Sequence, residues 1–323
     1  MKKNKIFLII SLTFLMLCLI IFIIYKNEPI IGQNIEENKG EIVPSMVPVI
    51  PEGFHSVKVS ENDWEEKDGV IQNWDKGLVI EDTNGNQFVW VPCSLDGNGN
   101  TIKFARYFYN FENKGIDEYN TTDYIKYDGY RFGEPYLNNI TELENSIEKY
   151  GGFYIGRFEV GNENNQPVIK KNREAWKNVT YTEANKIANN FFEGDTNNIK
   201  TALCNSFVYD TTTAWQHDKF VNCKPYDYIN YGNFSGKECL TGEDESLYVK
   251  NIADLYGNLF EYTTERCNNR IIQRGLCYNY TKEDIENNDS VEMKYDRLMC
   301  YSADDNNFKN ELVGFRIYMY LTK

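Results

Sequence analysis

The chain has 323 residues, of which 41% are hydrophobic and 15% are aromatic. That much apolar surface builds a sizeable core, so disorder throughout the chain is excluded, and the length suits one large domain or two small ones. The formal net charge of −14 repels nucleic acid and anionic lipid, so neither is expected as a partner of the folded part.

An apolar segment lies close to the N-terminus. Ile6 to Ile24 is a run of nineteen residues without a charged side chain. At about 1.5 Å per residue, that length crosses a hydrocarbon core of roughly 30 Å. Three lysines precede the segment and only Lys26 follows it closely, a bias that places the N-terminus inside.

These features predict a single-pass signal-anchor protein of the cell membrane. Residues 1–5 would form a cytoplasmic tail and residues 6–25 a transmembrane helix, with the C-terminal domain extracellular. A cleaved signal peptide is the alternative, although its apolar region is usually shorter, about 7–15 residues, and ends in small residues. The sequence leaves open whether the segment is cleaved.

The remaining chain divides at about Pro51. Residues 26–50 are polar and proline-bearing without a sustained period, which is typical of a stalk, and residues 51–323 form the predicted domain. Beyond the three N-terminal lysines the chain has 31 basic and 48 acidic residues, a net charge of about −17 that attracts cations. The alternative is that this acidity only keeps an exported protein soluble.

The first part of the domain is predicted to consist of strands. Two β-branched and aromatic runs in residues 76–93 flank the sequence Thr-Asn-Gly-Asn at 83–86, the turn chemistry of a β-hairpin. Residues 101–137 are rich in tyrosine and phenylalanine, and we assign them only to strands and loops. Thr141 and Glu144 then form a capping-box pattern that opens a short helix, which Gly151 and Gly152 would end.

Two more helices and several short strands follow. Thr180 and Glu183 form a second capping box, which opens a helix within residues 178–192. Asn205 or Ser206 caps a third helix, which runs through Trp215. Short strands are predicted at 153–160, 258–263, 271–274 and 313–321.

The number and spacing of the cysteines and histidines limit which metal and catalytic sites the chain can form. Seven cysteines follow the apolar segment; an odd number leaves at least one unpaired, and none has the spacing of a zinc site. His55 and His217 are the only histidines, so the sequence predicts neither a Ser-His-Asp nor a Cys-His catalytic arrangement.

Six segments, taken in order, resemble the formylglycine-generating enzyme family, also called sulfatase-modifying factor domains. The resemblance covers about residues 150–323, and 50–323 if the hairpin is included. It implies an α+β fold, a variant of the C-type lectin fold with much irregular loop. The segments are FYIGRFEV (153–160), NVTYTEA (178–184), the helix at 203–215, NIADLYGNLFEYT (251–263), QRGLCYN (273–279) and VGFRIYMY (313–320).

The resemblance does not extend to the metal-binding thiols. The oxidases of that family bind copper between two cysteines shortly after an RGGS sequence. Here Arg274-Gly275-Leu276-Cys277 stands at that point, and the two thiol positions fall near Tyr280 and Ile285, so copper is not expected. A related iron-dependent sulfoxide synthase needs several histidines, which this chain lacks. Cys277 and Cys300 are expected to form a disulfide or to be buried neighbours.

The resemblance also implies calcium. In the family, the turn before the Gly-Asn-aromatic strand wraps a calcium ion, and the matching ligands are the Asp254 side chain and the backbone carbonyls of Leu255, Gly257 and Leu259. Calcium takes six to eight oxygen ligands, and glycine and asparagine let a turn direct several carbonyls inward. The alternative is a tight turn that satisfies its own hydrogen bonds.

A second calcium site of the family is matched more loosely. Its counterparts here are Asn233, Phe234, Asp244 and Ser246, and the spacing between them differs from the family pattern.

The sequence therefore predicts a non-catalytic, membrane-anchored extracellular binding module that presents a loop-rich face to a glycan or protein ligand. Aromatic and asparagine side chains in YDYINYGNF (226–234) suit sugar stacking and hydrogen bonding, and they equally suit an asparagine-rich loop that packs on itself. A divergent formylglycine-generating oxidase acting on cysteine of exported sulfatases is the first alternative, and a purely structural surface protein is the second.

Overall fold

The structure, a computed structural model, describes most of the chain after residue 46. The described residues are 47–59, 64–67, 70–97, 101–110, 115–127, 129–192, 198–217, 230–268, 270–281, 283, 299–301 and 309–322. All belong to one structural unit, which spans Ile42–Lys323. The predicted tail, membrane segment and most of the predicted stalk lie outside these residues. Within the described part of the chain, no helix is long and apolar enough to span a bilayer.

The fold is mixed, with more strands than helices. The helices are α1 (Ile140–Tyr150), α2 (Tyr181–Asn189) and α3 (Ser206–Gln216). The strands are β1 (Phe54–Val57), β2 (Glu65–Lys67), β3 (Val70–Gln72), β4 (Val79–Asp82), β5 (Gln87–Pro92), β6 (Arg106–Asn110), β7 (Gly115–Tyr119), β8 (Ile125–Tyr127), β9 (Tyr130–Gly133), β10 (Gly152–Gly156), β11 (Gly161–Glu163), β12 (Gln166–Val168), β13 (Ile199–Leu203), β14 (Phe260–Cys267), β15 (Arg270–Arg274), β16 (Met299–Tyr301), β17 (Val313–Phe315) and β18 (Ile317–Leu321).

The first large sheet forms much of the core. Its order is β1-β4-β5-β10-β18-β13, and every neighbouring pair is antiparallel. Trp90 of β5 and Tyr154 of β10 are register partners whose ring centroids lie 4.9 Å apart. Helix α1 packs against β10 and β18, and α2 packs against β13, so the sheet is covered where its strands carry large apolar side chains.

The second large sheet is built around β14. Its order is β16-β15-β14-β9-β8, and β17 pairs with β14 in parallel. All eight residues of β14 are buried, and the register with β15 shifts between Tyr262 and Arg266. Helix α3 contacts strands of both sheets, β5 and β14, and every one of its residues is buried.

Several predicted elements are confirmed. The 76–93 hairpin is present as β4 and β5. Thr180 accepts a hydrogen bond from the Glu183 amide while the Glu183 side chain accepts from the Thr180 amide, so the second capping box is complete. Asn205 caps α3 by accepting from the Val208 amide. Gly151 ends α1 in the left-handed conformation.

Several predicted boundaries are wrong, including the end of the strand predicted at 258–263, which runs to Cys267. Helix α1 begins at Ile140, so Thr141 lies inside it. Asn139 stands at the N-cap position but accepts no capping hydrogen bond, and its Nδ2 donates to the Tyr318 hydroxyl. The strand predicted at 153–160 ends at Gly156. The strand predicted at 313–321 is divided at Arg316, because the chain crosses there from the second sheet to the first.

Candidate functional site

The turn predicted to hold calcium is buried and strongly curved. Asp254, Gly257 and Asn258 have φ angles of 54°, 70° and 56°, in the left-handed region that asparagine, aspartate and above all glycine adopt at low cost. A Cβ atom at position 257 would overlap the backbone of Asn233. The close grouping of these residue types in the sequence is therefore required by the backbone of the turn.

Hydrogen bonds to distant segments hold this turn in place. Asp254 is 5% exposed, and its Oδ2 accepts from the Gly242 amide at 2.6 Å. The Gly257 amide donates to the Gly275 carbonyl at 2.7 Å. The Leu255 carbonyl accepts from the Tyr209 hydroxyl at 2.7 Å. Burial raises the pKa of Asp254, and the Gly242 hydrogen bond opposes that shift.

Glu159 is buried beneath the turn and anchors its second half. The Asn258 amide nitrogen Nδ2 donates to its Oε2 at 2.6 Å, and the Leu259 backbone amide donates to its Oε1 at 3.1 Å. Burial raises the pKa of Glu159 well above its usual range, and the nearby carboxyls of Asp254 and Glu261 raise it further. Glu159 lies in the irregular segment between the end of β10 at Gly156 and the start of β11, so part of the stretch predicted as a strand instead supplies this carboxyl to the turn.

Arg316 neutralises part of this acidic group. Its Nη2 lies 2.6 Å from Glu261 Oε1 and its Nε lies 2.9 Å from the same oxygen. The remaining donors reach the carbonyls of Gly156 and Ala253, both at 2.9 Å. A buried ion pair is tolerated only when its other polar atoms are hydrogen-bonded, and this guanidinium meets that condition.

The second predicted calcium site opens on the same cavity as the first. Asn233, Phe234, Asp244 and Asp254 all line a cavity of about 610 Å³, whereas Ser246 does not line it. Asp244 Oδ1 accepts from the amide and the hydroxyl of Ser246, at 2.9 and 2.6 Å, and these bonds lower the pKa of Asp244.

The described residues fit a calcium ion only in part. Asp254 Oδ1 has no hydrogen-bond donor among them, so it is a suitable ligand atom. The Leu255 carbonyl, in contrast, already accepts the Tyr209 hydroxyl. In the described part of the chain, no group of three or more His, Cys, Asp or Glu side chains is arranged to hold a metal ion.

A second buried cluster of charges surrounds the arginine of the RGLC segment. Arg274 Nη2 lies 2.6 Å from Asp210 Oδ1, and its Nη1 lies 3.3 Å from Glu265 Oε2. Arg106 contacts the other oxygen of Glu265 at 3.0 Å. The Arg274 guanidinium also lies over the Tyr209 ring, 4.4 Å from its centroid. This cluster joins α3, β6, β14 and β15 to one another.

Glu134 borders this cluster and has no cationic partner in the described structure. Its Oε1 accepts from the amide and the hydroxyl of Ser206, at 2.6 and 2.7 Å, and its Oε2 accepts from the Thr264 hydroxyl at 2.7 Å. Burial, and next the negative charge of Glu265, raise the pKa of Glu134 to about 7.

The described thiols are mostly buried. Burial raises the pKa of Cys93 and of Cys204, so neither favours the thiolate form that binds soft metals. Cys277 is also fully buried. The side chain of Cys300 and the whole of Ile285 lie outside the described structure, so the pairing of Cys277 with Cys300 stays a prediction.

A separate cleft lies elsewhere in the described structure, and we call it the tyrosine cleft. It has a volume of about 1050 Å³ and is lined by residues of α1, α2, β13, β14 and β18 together with the loop before α1. Four tyrosines and several asparagines contribute to its lining, and Tyr136 at its edge is 64% exposed. Concave sites that combine aromatic side chains with a few placed polar groups are the usual form of small-ligand sites.

The charged side chains of the tyrosine cleft are Glu142, Lys200 and Arg266. Lys200 pairs with Glu142 at 2.7 Å. Arg266 lies between two tyrosines, with its guanidinium carbon 4.7 Å from the Tyr181 ring centroid and 5.3 Å from that of Tyr136. The described lining thus carries one positive charge without an opposite charge.

Comparison with models of known protein families finds no match, and comparison with curated proteins finds no similar sequence.

Sequence reasoning missed the tyrosine cleft because its residues come from distant segments. Residues 230–234 of the aromatic stretch proposed for ligand binding are described; three of them line the cavity near Asp254, and none lines the cleft. Two features of the sequence could have indicated the cleft. One is Arg266, a charged residue within a buried strand, and the other is the tyrosine and asparagine content of 136–139 and 181–189.

Proposed function

We propose that this protein is a membrane-anchored extracellular binding module that takes a glycan ligand in the tyrosine cleft. The observation that carries the proposal is the lining of the cleft: tyrosine rings offer faces for the C–H surface of a sugar, and asparagine side chains offer paired donors and acceptors for its hydroxyls. A cleft of about 1050 Å³ also has the size of a site for several sugar units.

The lining argues for a glycan over a protein ligand. Protein interfaces place apolar or aromatic anchors in dry central pockets. The described cleft has only Leu137, Ala202 and Leu203 as aliphatic members. Its remaining residues are polar or aromatic with a polar end, so a hydroxyl-rich ligand matches them better.

We further propose that the fold is the formylglycine-generating enzyme variant of the C-type lectin fold. The order of the matching elements supports this assignment: β10, the capped helix α2, helix α3, the turn at 254–258 leading into β14, β15 with the RGLC segment, and the terminal strands β17 and β18. The membrane anchor rests on residues 6–24 and the lysines before them.

Calcium is proposed as a stabilising ion of the turn rather than as part of the ligand site. Glu159, Asp254 and Glu261 oppose one guanidinium, that of Arg316, in a buried region. Burial raises the pKa of each of these carboxyls, and a cation beside Asp254 Oδ1 would stabilise the ionised form of Asp254 against protonation.

A binding experiment tests the proposed function. The purified full-length chain is applied to an array of neutral and acidic oligosaccharides, and the binding of wild type is compared with that of Tyr136→Ala and Tyr231→Ala. Both tyrosines are exposed, but only Tyr136 borders the tyrosine cleft. Loss of one stacking face predicts a decrease in affinity of several-fold to about tenfold for Tyr136→Ala, and no change for Tyr231→Ala.

Two results would overturn the proposal. One is an array without any bound oligosaccharide. The other is a loss of binding in Tyr231→Ala with Tyr136→Ala unchanged, which would place the ligand near residues 230–234.

The oxidase alternative has its own assay. The copper-loaded full-length chain is incubated with a cysteine peptide of the sulfatase type, and mass spectrometry follows the conversion of cysteine to aldehyde. We expect no conversion, because no thiol stands at the two expected positions after Arg274-Gly275. Conversion that is lost in Cys277→Ser would establish the enzyme instead.

A further inference from the structure

Arg266 is a buried arginine whose environment is incomplete. It is 8% exposed, and its Nε makes no hydrogen bond with a described residue. No carboxylate of the described structure lies within ion-pair distance of its guanidinium. A buried donor without an acceptor is costly, and the protein has 48 acidic residues against 34 basic ones, so an arginine left without an acidic partner is unexpected.

The surrounding structure fixes the position of this side chain. Arg266 follows the register shift in β14, and such bulges redirect side chains near functional sites. The Tyr181 and Tyr136 rings contact the guanidinium, and stacking on aromatic faces orients its plane. A rigid guanidinium is pre-organised to bind a planar anion with two hydrogen bonds.

From this geometry we propose that the ligand of the tyrosine cleft is an acidic glycan, a chain containing uronic acid units, and that Arg266 binds its carboxylate. This inference rests on the proposed function and specifies the chemical class of the ligand. The carboxylate supplies the opposite charge that the cleft lacks, since Lys200 is already paired with Glu142. The neighbouring asparagines and tyrosines then bind the hydroxyls and the ring faces of the same sugar.

Because the protein is acidic overall, the binding of an anionic glycan depends on the positive charge of Arg266. With a net charge of −14, the protein repels an anionic ligand at long range. Binding must therefore come from short-range contacts with Arg266, and these are screened by salt less than exposed charges are.

Calorimetric titration of the full-length chain tests the inference. The probes are an oligogalacturonate, the matching neutral oligogalactose and an acidic peptide of glutamates. The variants are Arg266→Gln and, as a control with the same change of charge, Arg270→Gln. Arg270 lies in β15, the strand next to β14, but it is exposed and does not line the cleft.

We expect Arg266→Gln to weaken oligogalacturonate binding at least about tenfold, because charge-assisted hydrogen bonds are the strong ones. Binding of the neutral oligosaccharide should be unchanged in this variant, and Arg270→Gln should bind both sugars as wild type does. Unchanged neutral binding also shows that the variant is folded. If Arg266→Gln no longer binds the neutral oligosaccharide, a second variant is used. Arg266→Lys keeps the positive charge and must still bind the acidic sugar more tightly than the neutral one.

Three results would overturn the inference. If wild type binds the neutral and the acidic sugar equally and Arg266→Gln does not change this, the cleft binds glycans without a carboxylate site, and the proposed function stands alone. If wild type binds only the glutamate peptide, the ligand is an acidic protein segment. If wild type binds none of the probes and no sugar on the array, the proposed function fails with the inference.

Discussion

The protonation of Glu134 should make the stability of this protein depend on pH in a defined window. Its carboxyl has a pKa of about 7 in the folded chain, against an ordinary value of 4.5. A raised carboxyl pKa means that the folded state binds more protons than the unfolded state between these two values. The free energy of unfolding therefore falls as the pH rises from about 4.5 and levels off above about 7.

The size of this effect follows from the two pKa values. Each pKa unit corresponds to about 1.36 kcal/mol, so a shift from 4.5 to about 7 destabilises the ionised protein by about 3 kcal/mol. Glu134→Gln removes the ionisation but keeps an oxygen for the Ser206 amide and hydroxyl, and the Thr264 hydroxyl can rotate to accept from the new amide.

Urea unfolding of wild type and Glu134→Gln at several pH values between 4.5 and 8.5 measures the difference. The variant should gain about 3 kcal/mol relative to wild type from the lower to the upper end of that range. Glu148→Gln, which removes an exposed carboxyl of α1, is the control and should follow wild type. A difference between wild type and Glu134→Gln that stays constant with pH would refute the reasoning.

Three further changes test the buried turn and its surroundings. Gly257→Ala should destabilise the fold by about 1–3 kcal/mol more than Gly236→Ala in thermal unfolding, because both glycines have positive φ but only position 257 lacks room for a Cβ; equal losses would contradict the overlap. Arg316→Met should cost about 3–5 kcal/mol in urea unfolding, since it leaves the Glu261 carboxylate buried without its partner; a loss below 1 kcal/mol would show that the pair is dispensable. Calcium at about 100 times its dissociation constant should stabilise the full-length chain by about 2.7 kcal/mol, and Asp254→Asn should abolish this gain; a melting temperature of wild type that a chelator leaves unchanged would show that the turn needs no ion.

Local sequence signals predicted the elements that depend on neighbouring residues. The 76–93 hairpin, the Thr180–Glu183 capping box and the Asn205 cap all follow from side chains within a few positions of each other. The left-handed turn at 254–258 belongs to the same class, because glycine and asparagine mark positive φ directly.

The functional geometry depends on contacts between distant segments, which no local pattern contains. Glu159 and Asn258 are 99 positions apart, and Glu134 and Thr264 are 130 apart. The sequence gives no sign that these carboxyls are buried. Tyr136 and Arg266 meet only because β14 extends beyond its predicted end at residue 263 to Cys267. A prediction that ended the strand at residue 263 therefore did not indicate the tyrosine cleft.

Photo-crosslinking of a bound oligosaccharide will show where the ligand of this protein lies. A glycan selected on the array is given a diazirine group, bound to the full-length chain and irradiated, and the labelled peptides are identified by mass spectrometry. The account predicts labels in residues 136–142, 181–189 and 264–268, which line the tyrosine cleft. Labels confined to residues 232–247, around the cavity near Asp254, would contradict it.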